Sequence, residues 1–97
     1  MLEGYTMSKH LREDRIERLT TIATTIGFGE VIKETKHRTQ TSLLTNTGVI
    51  YIVDKKEKYI ITVYVATLEE LVAIYKGKRV PQKLYNQVKK NTKIHWG

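Results

Sequence analysis

Two apolar runs constrain this chain more than any other feature. Residues 49–54 read Val-Ile-Tyr-Ile-Val-Asp and residues 59–66 read Tyr-Ile-Ile-Thr-Val-Tyr-Val-Ala, with the charged stretch 54–58 between them. β-Branched and aromatic side chains pack well on a pleated surface, so the pattern predicts a β-hairpin. If Val53 pairs with Tyr59, Ile50 faces Thr62 and Val49 faces Val63. One face then carries Val49, Tyr51, Val53, Ile61, Val63 and Val65, and is wholly apolar. The other carries Ile50, Ile52, Ile60, Thr62, Tyr64 and Ala66. The apolar face is expected to receive a helix. The second face also needs cover, from the C-terminal helices, a partner protein or a second copy of the chain.

A helix is available upstream. Leu11, Arg15, Ile16, Leu19, Ile22, Ala23 and Ile26 recur at three- and four-residue steps, which predicts an amphipathic helix over residues 8–27. Ser8 suits its N-cap, Glu13 and Asp14 suit the positive end of its dipole, and Gly27 and Gly29 end it. Threonines at 20, 21, 24 and 25 weaken it, so burial against a sheet must hold it. Residues 1–7 carry no pattern. Residues 30–38 read as an edge strand in which Lys33, Lys36 and Arg38 discourage stray pairing, and residues 41–46 as another strand, closed by an Asn46-Thr47-Gly48 turn.

Downstream, Thr67-Leu-Glu-Glu70 is a capping box opening a short helix through Leu71, Val72, Ile74 and Tyr75, which Gly77 stops. Pro81 fits the first turn of a last helix with Leu84, Tyr85 and Val88 as its apolar stripe. The expected architecture is a single α+β domain over residues 1–97: an N-terminal amphipathic helix (8–27) on a three- to four-stranded antiparallel sheet (30–66), then two short C-terminal helices with a basic tail (68–91). With 97 residues, 40% of them hydrophobic, one core suffices. The absence of cysteine excludes disulfides and thiolate metal sites, and the chain has neither a membrane-length apolar run nor a signal-peptide pattern. The expected location is the cytoplasm.

The formal net charge of +7 is unevenly spread. Acidic and basic side chains balance over residues 1–75. Residues 76–97 carry Lys76, Lys78, Arg79, Lys83, Lys89, Lys90 and Lys93 with no Asp or Glu. Such a segment draws polyanions from within about one Debye length, roughly 8 Å in the cell, and nucleic acid is the leading candidate. A solvated basic tail that only aids solubility is the plainer reading. Tyr75, Tyr85 and Trp96 are interleaved with these cations and either stack bases or pack on the domain.

Metal and carboxylate chemistry find little support. His10, His37 and His95 lack ligand spacing, and Glu13, Asp14, Glu17, Glu69 and Glu70 all suit helix surfaces or caps. No cofactor is expected. The remaining chemistry is RNA cleavage by the 2′-hydroxyl, which needs a proton acceptor, a proton donor and cations around the phosphorane but no metal. His10, His37, Lys33, Arg38, Thr62 and Tyr64 are the residue types for it.

Ser8-Lys9-His10 followed by Arg15 and Arg18 resembles the Ser-x-His…Arg…Arg opening of small RelE/ParE-related domains from phages and bacterial mobile elements. Residues 43–54 followed by residues 59–64 are similar to the strand pair of those domains, so the resemblance covers residues 8–66. It implies the barnase–EndoU–colicin–RelE fold and a metal-independent endoribonuclease or an inactive RNA-binding relative. It also implies roles: His10 in proton transfer, Arg15 and Arg18 as phosphate ligands, and Thr62 as a hydroxyl at the site. Lys78, Arg79, Lys83, Lys89 and Lys90 would draw in the nucleic acid. The alternative is a non-catalytic regulator that binds nucleic acid through its basic C-terminus, or binds and inhibits a host protein. A protein inhibitor or a homodimer is compatible with either.

Overall fold

A computed structural model describes residues 4–9, 12 and 16–95, with the backbone alone described at 94 and 95. The elements run β1 (Thr6–Met7), α1 (Ile16–Thr25), β2 (Val31–Lys36), β3 (Thr41–Thr45), β4 (Val49–Asp54), β5 (Tyr59–Val65), α2 (Leu68–Tyr75) and α3 (Gln82–His95). The sheet has five strands in the order β1-β5-β4-β3-β2. The expected α+β class is observed. The sheet differs from expectation: it is mixed, because β1 joins β5 in parallel while the other neighbours are antiparallel. The N-terminal segment, patternless in sequence, thus supplies an edge strand. Thr6 N donates to the Lys58 carbonyl at 2.9 Å and Ser8 N to the Ile60 carbonyl at 3.0 Å.

The hairpin exists, in a different register. Val49 pairs with Val65, Ile50 with Tyr64, Tyr51 with Val63 and Ile52 with Thr62; then Val53 pairs with Ile60 and Asp54 with Tyr59. Ile61 is the additional residue that makes this shift. Two causes act. Asp54 belongs to the strand and its carboxylate accepts from Lys56 N and Glu57 N at 3.0 and 3.1 Å, so the loop is tighter than the sequence suggests. The bulge at Ile61 then inverts the side-chain alternation of β5. Ile60 therefore packs in the α1-side core, where Ile61 was expected. The carbonyl of Ile61 accepts from Ser8 Oγ at 3.1 Å, which ties the chain leaving β1 to the bulge.

Both faces of the sheet are covered. On one, Leu43, Val49, Tyr51, Val53, Val63 and Val65 meet Ile22 of α1, with Leu19, Ile26 and Phe28 at the margin. On the other, Leu44, Ile50 and Ala66 meet Leu71 of α2 and Leu84 and Val88 of α3. A wholly buried aliphatic side chain such as Ile22 or Leu71 contributes about 1.5–3 kcal/mol. The threonines of α1 use their hydroxyls locally: Thr20, Thr21, Thr24 and Thr25 each donate to a carbonyl one turn back. This back-bonding adds little to the helix, so packing through Ile22 carries it. Gly27, at φ +84°, ends α1, and its N–H donates to the Ile22 carbonyl at 2.7 Å.

The β3–β4 turn joins the layers. Glu30 N donates to Asn46 Oδ1 at 2.9 Å, Thr47 Oγ1 to the Gly27 carbonyl at 2.9 Å, and Asn91 Nδ2 of α3 to the Thr47 carbonyl at 2.7 Å. One turn thus holds the exit of α1, the start of β2 and the inner face of α3. Among the described residues, no helix is long and apolar enough to cross a membrane.

Candidate functional site

The capping box sets the position of α2. Thr67 Oγ1 accepts from Glu70 N at 3.2 Å, Glu70 Oε1 accepts from Thr67 N at 3.5 Å, and Tyr64 OH of β5 donates to Glu70 Oε2 at 2.8 Å. Burial, then the hydrogen bond to Glu70 and the charge of its carboxylate, push the Tyr64 hydroxyl well above its ordinary value. Tyr64, one of the residue types named above for RNA cleavage, has a carboxylate at its hydroxyl, which opposes an incoming anion.

At its other end α2 stops on two successive left-handed residues, Lys76 (φ 50°) and Gly77 (φ 80°). Glycine adopts this region freely, but for lysine it costs roughly 1–2 kcal/mol. Lys76 N donates to the Ala73 carbonyl and Lys78 N to the Tyr75 carbonyl. This sharp exit carries Lys76 and Lys78 against the outer strand β2. There, Lys33, Thr35, Lys36, Tyr75, Lys76 and Lys78 line an open cleft of about 380 Å³. Lys33 Nζ sits 5.1 Å from the centroid of the Tyr75 ring, a cation–π contact. Glu34 also lines the cleft, and its carboxylate is ion-paired with Lys55. The cleft is therefore strongly cationic.

Further along β2, Ile32, Asn46, Pro81, Lys83, Leu84 and Gln87 line a second depression of about 290 Å³. From it rises α3. Leu84, Val88 and Asn91 turn inward, while Lys83, Asn86, Lys89, Lys90 and Lys93 are exposed. At about 100° per residue the lysines span the sector opposite the buried stripe. The last helix, expected to be short and to end near residue 91, runs 14 residues to His95 and is docked through Leu84, Val88 and Asn91.

The residues singled out in the sequence fall into separate places. Lys78, Arg79, Lys83, Lys89 and Lys90 are exposed along the α2–α3 connection and the outer side of α3. Thr62 is half-buried on the same side of the sheet, opposite Ile52 in register. Arg18 is exposed on α1, across the sheet from Thr62. His10 and Arg15 lie outside the described residues, as do Leu11, Glu13, Asp14 and Trp96. His37 is exposed at the end of β2, with its Nε2 3.4 Å from Ser42 Oγ. Among the described residues, no three His, Asp or Glu side chains gather as a metal site would require.

Sequence reasoning missed the meeting of Lys33 with Tyr75. Both residues stood out, one as an edge-strand charge and the other as an aromatic among lysines. Their contact depends on how the last turn of α2 lies beside β2, far away in sequence. No protein-family model, curated protein or solved structure matches the chain.

Proposed function

We propose that this protein binds nucleic acid without cleaving it, holding the phosphate backbone along the solvent side of α3 and the α2–α3 connection. The observation that carries this reading is the ordered row Lys83, Lys89, Lys90 and Lys93 on one helix, continued by Lys78 and Arg79 in a segment with no carboxylate. A rigid cationic face loses less side-chain and backbone freedom on binding than a mobile tail does. Each phosphate it neutralises releases condensed counterions, so binding weakens as salt rises.

Binding is preferred to cleavage for two reasons drawn from the described residues. Thr62 and Arg18, both implied by the RelE-like resemblance to serve one site, have the sheet between them. Tyr64, the neighbouring hydroxyl on β5, is committed to Glu70.

Titrating labelled RNA at several salt concentrations tests the proposal. Wild type is expected to give a steep negative slope of log affinity against log salt. Replacing Lys83, Lys89 and Lys90 together by Gln is expected to reduce that slope by about 2 on a single strand, at roughly 0.7 per phosphate contact. An unchanged slope in the triple variant would remove α3 as the interface.

A further inference from the structure

We infer that the cleft between β2 and the end of α2 is a subsite for single-stranded nucleic acid, in which a base stacks on Tyr75 and the flanking phosphates meet Lys33, Lys36, Lys76 and Lys78. The inference rests on the proposed binding role of α3 and deepens it: it names the form of nucleic acid recognised.

Three observations converge. The first is charge. Four lysines line one cleft, and the single carboxylate among its walls, Glu34, is held by Lys55. An anion entering there meets uncompensated cations. The second is an aromatic face within that charge. Tyr75 is half-buried and packs against the core beneath it, and the Lys33 ammonium sits 5.1 Å from its centroid. A base can take the place of the ammonium on the ring while Lys33 turns to the adjoining phosphate, exchanging a cation–π contact for a stack and an ion pair. The third is continuity. The next depression along β2 holds Ile32, 48% exposed, and Lys83, the first lysine of α3. A strand following β2 therefore passes from the Tyr75 cleft across an apolar side chain onto the α3 lysines. The six residues of β2 extend about 20 Å, enough for a short run of nucleotides.

The form of the ligand follows from the walls. A duplex keeps its bases stacked inside and offers this cleft only phosphates, for which a flat lysine face is sufficient. Tyr75 and Ile32 gain a partner only when bases are splayed out, as they are in single strands and loops.

The test compares a short oligouridylate with a hairpin duplex of equal phosphate number, for wild type and for Tyr75→Leu, Tyr75→Phe, Lys33→Gln and the α3 triple variant. Tyr75→Leu keeps an apolar side chain over the core, and circular dichroism checks that it folds. The expected result is tighter binding of the oligouridylate by wild type. Tyr75→Leu then loses about fivefold or more on the oligouridylate and nothing on the duplex. Tyr75→Phe keeps the preference, and Lys33→Gln, which leaves the core untouched, lowers the oligouridylate salt slope by about 0.7. The α3 variant loses affinity for both. Equal effects of the Tyr75 and Lys33 changes on both ligands, or no effect on either, would overturn this inference and leave the α3 interface standing. Failure of wild type to bind either ligand would overturn both.

Discussion

Asn91, wholly buried on α3, donates its side-chain amide to the carbonyl of Thr47 at 2.7 Å and accepts from Gln87 Nε2 at 2.8 Å. The lysine-bearing helix is thus fixed to the sheet by a polar contact as well as by Val88 and Leu84. Removing the amide leaves the part-buried carbonyl of Thr47 without this donor. Asn91→Ala is expected to lower unfolding free energy by about 1–3 kcal/mol, read as a lower urea midpoint. Lys89→Ala, on the solvent side of the same helix, is expected to stay within about 0.5 kcal/mol of wild type.

Gly48 is the backbone side of the same junction. It has φ +85°, and a Cβ there would come within 2.8 Å of Val88 Cγ2 and 3.0 Å of Asn91 Nδ2. Both the left-handed backbone and the close approach of α3 require glycine. Gly48→Ala is expected to lose about 2–4 kcal/mol, the sum of a left-handed penalty and overpacking, and to lower the thermal midpoint clearly.

Lys76 illustrates a conflict between stability and binding. Its left-handed φ of 50° favours glycine, so Lys76→Gly is expected to stabilise the fold by roughly 1 kcal/mol. The same change removes a cation from the Tyr75 cleft. Chemical denaturation should show a rise in stability, and RNA titration a fall in affinity, in one variant.

The Tyr64–Glu70 bond makes stability depend on alkaline pH. Burial, the hydrogen bond to Glu70 and its charge all raise the folded hydroxyl above its ordinary value near 10, and burial alone raises Tyr51. In the unfolded chain these tyrosines lose their protons from about pH 10 upward while the folded forms keep theirs. The folded state then binds more protons than the unfolded one, so stability is retained below pH 10 and falls as pH rises beyond it. Denaturation at successive alkaline pH values is expected to show this decline, and Tyr64→Phe to make it shallower.

RNA incubated with the protein in EDTA is expected to remain intact under conditions where it is bound, and Thr62→Val and His10→Ala are expected to leave binding unchanged. Cleavage by wild type that disappears in His10→Ala would establish a metal-independent ribonuclease and replace the binding account with the one the RelE-like resemblance implies.

The elements built on local chemistry were legible in the sequence. Apolar runs of β-branched and aromatic residues marked β4 and β5, Thr67 and Glu70 marked the start of α2, and Gly27 and Gly48 marked the turns they occupy. What was not legible depends on contacts distant in sequence. Thr6–Met7 is a strand only because the free edge of β5 accepts it. The bulge at Ile61 breaks an alternation that looks uninterrupted, and brings Ile60 to the face where Ile61 was expected. Asn91 reads as one more polar residue of a basic helix until its partner, 44 residues away, is known. The same holds for the candidate site. The lysines could be counted from the sequence, but the cleft they form with Tyr75 is a product of how α2 ends beside β2.

The most direct test of the nucleic-acid interface is to follow backbone amide NMR signals as a short single-stranded RNA is added. The account predicts perturbations along the outer side of α3, at residues 76–80 and along β2, with α1 and Arg18 silent. Perturbations centred on α1, β1 and the Ile61 bulge, or none at concentrations that saturate binding, would contradict it.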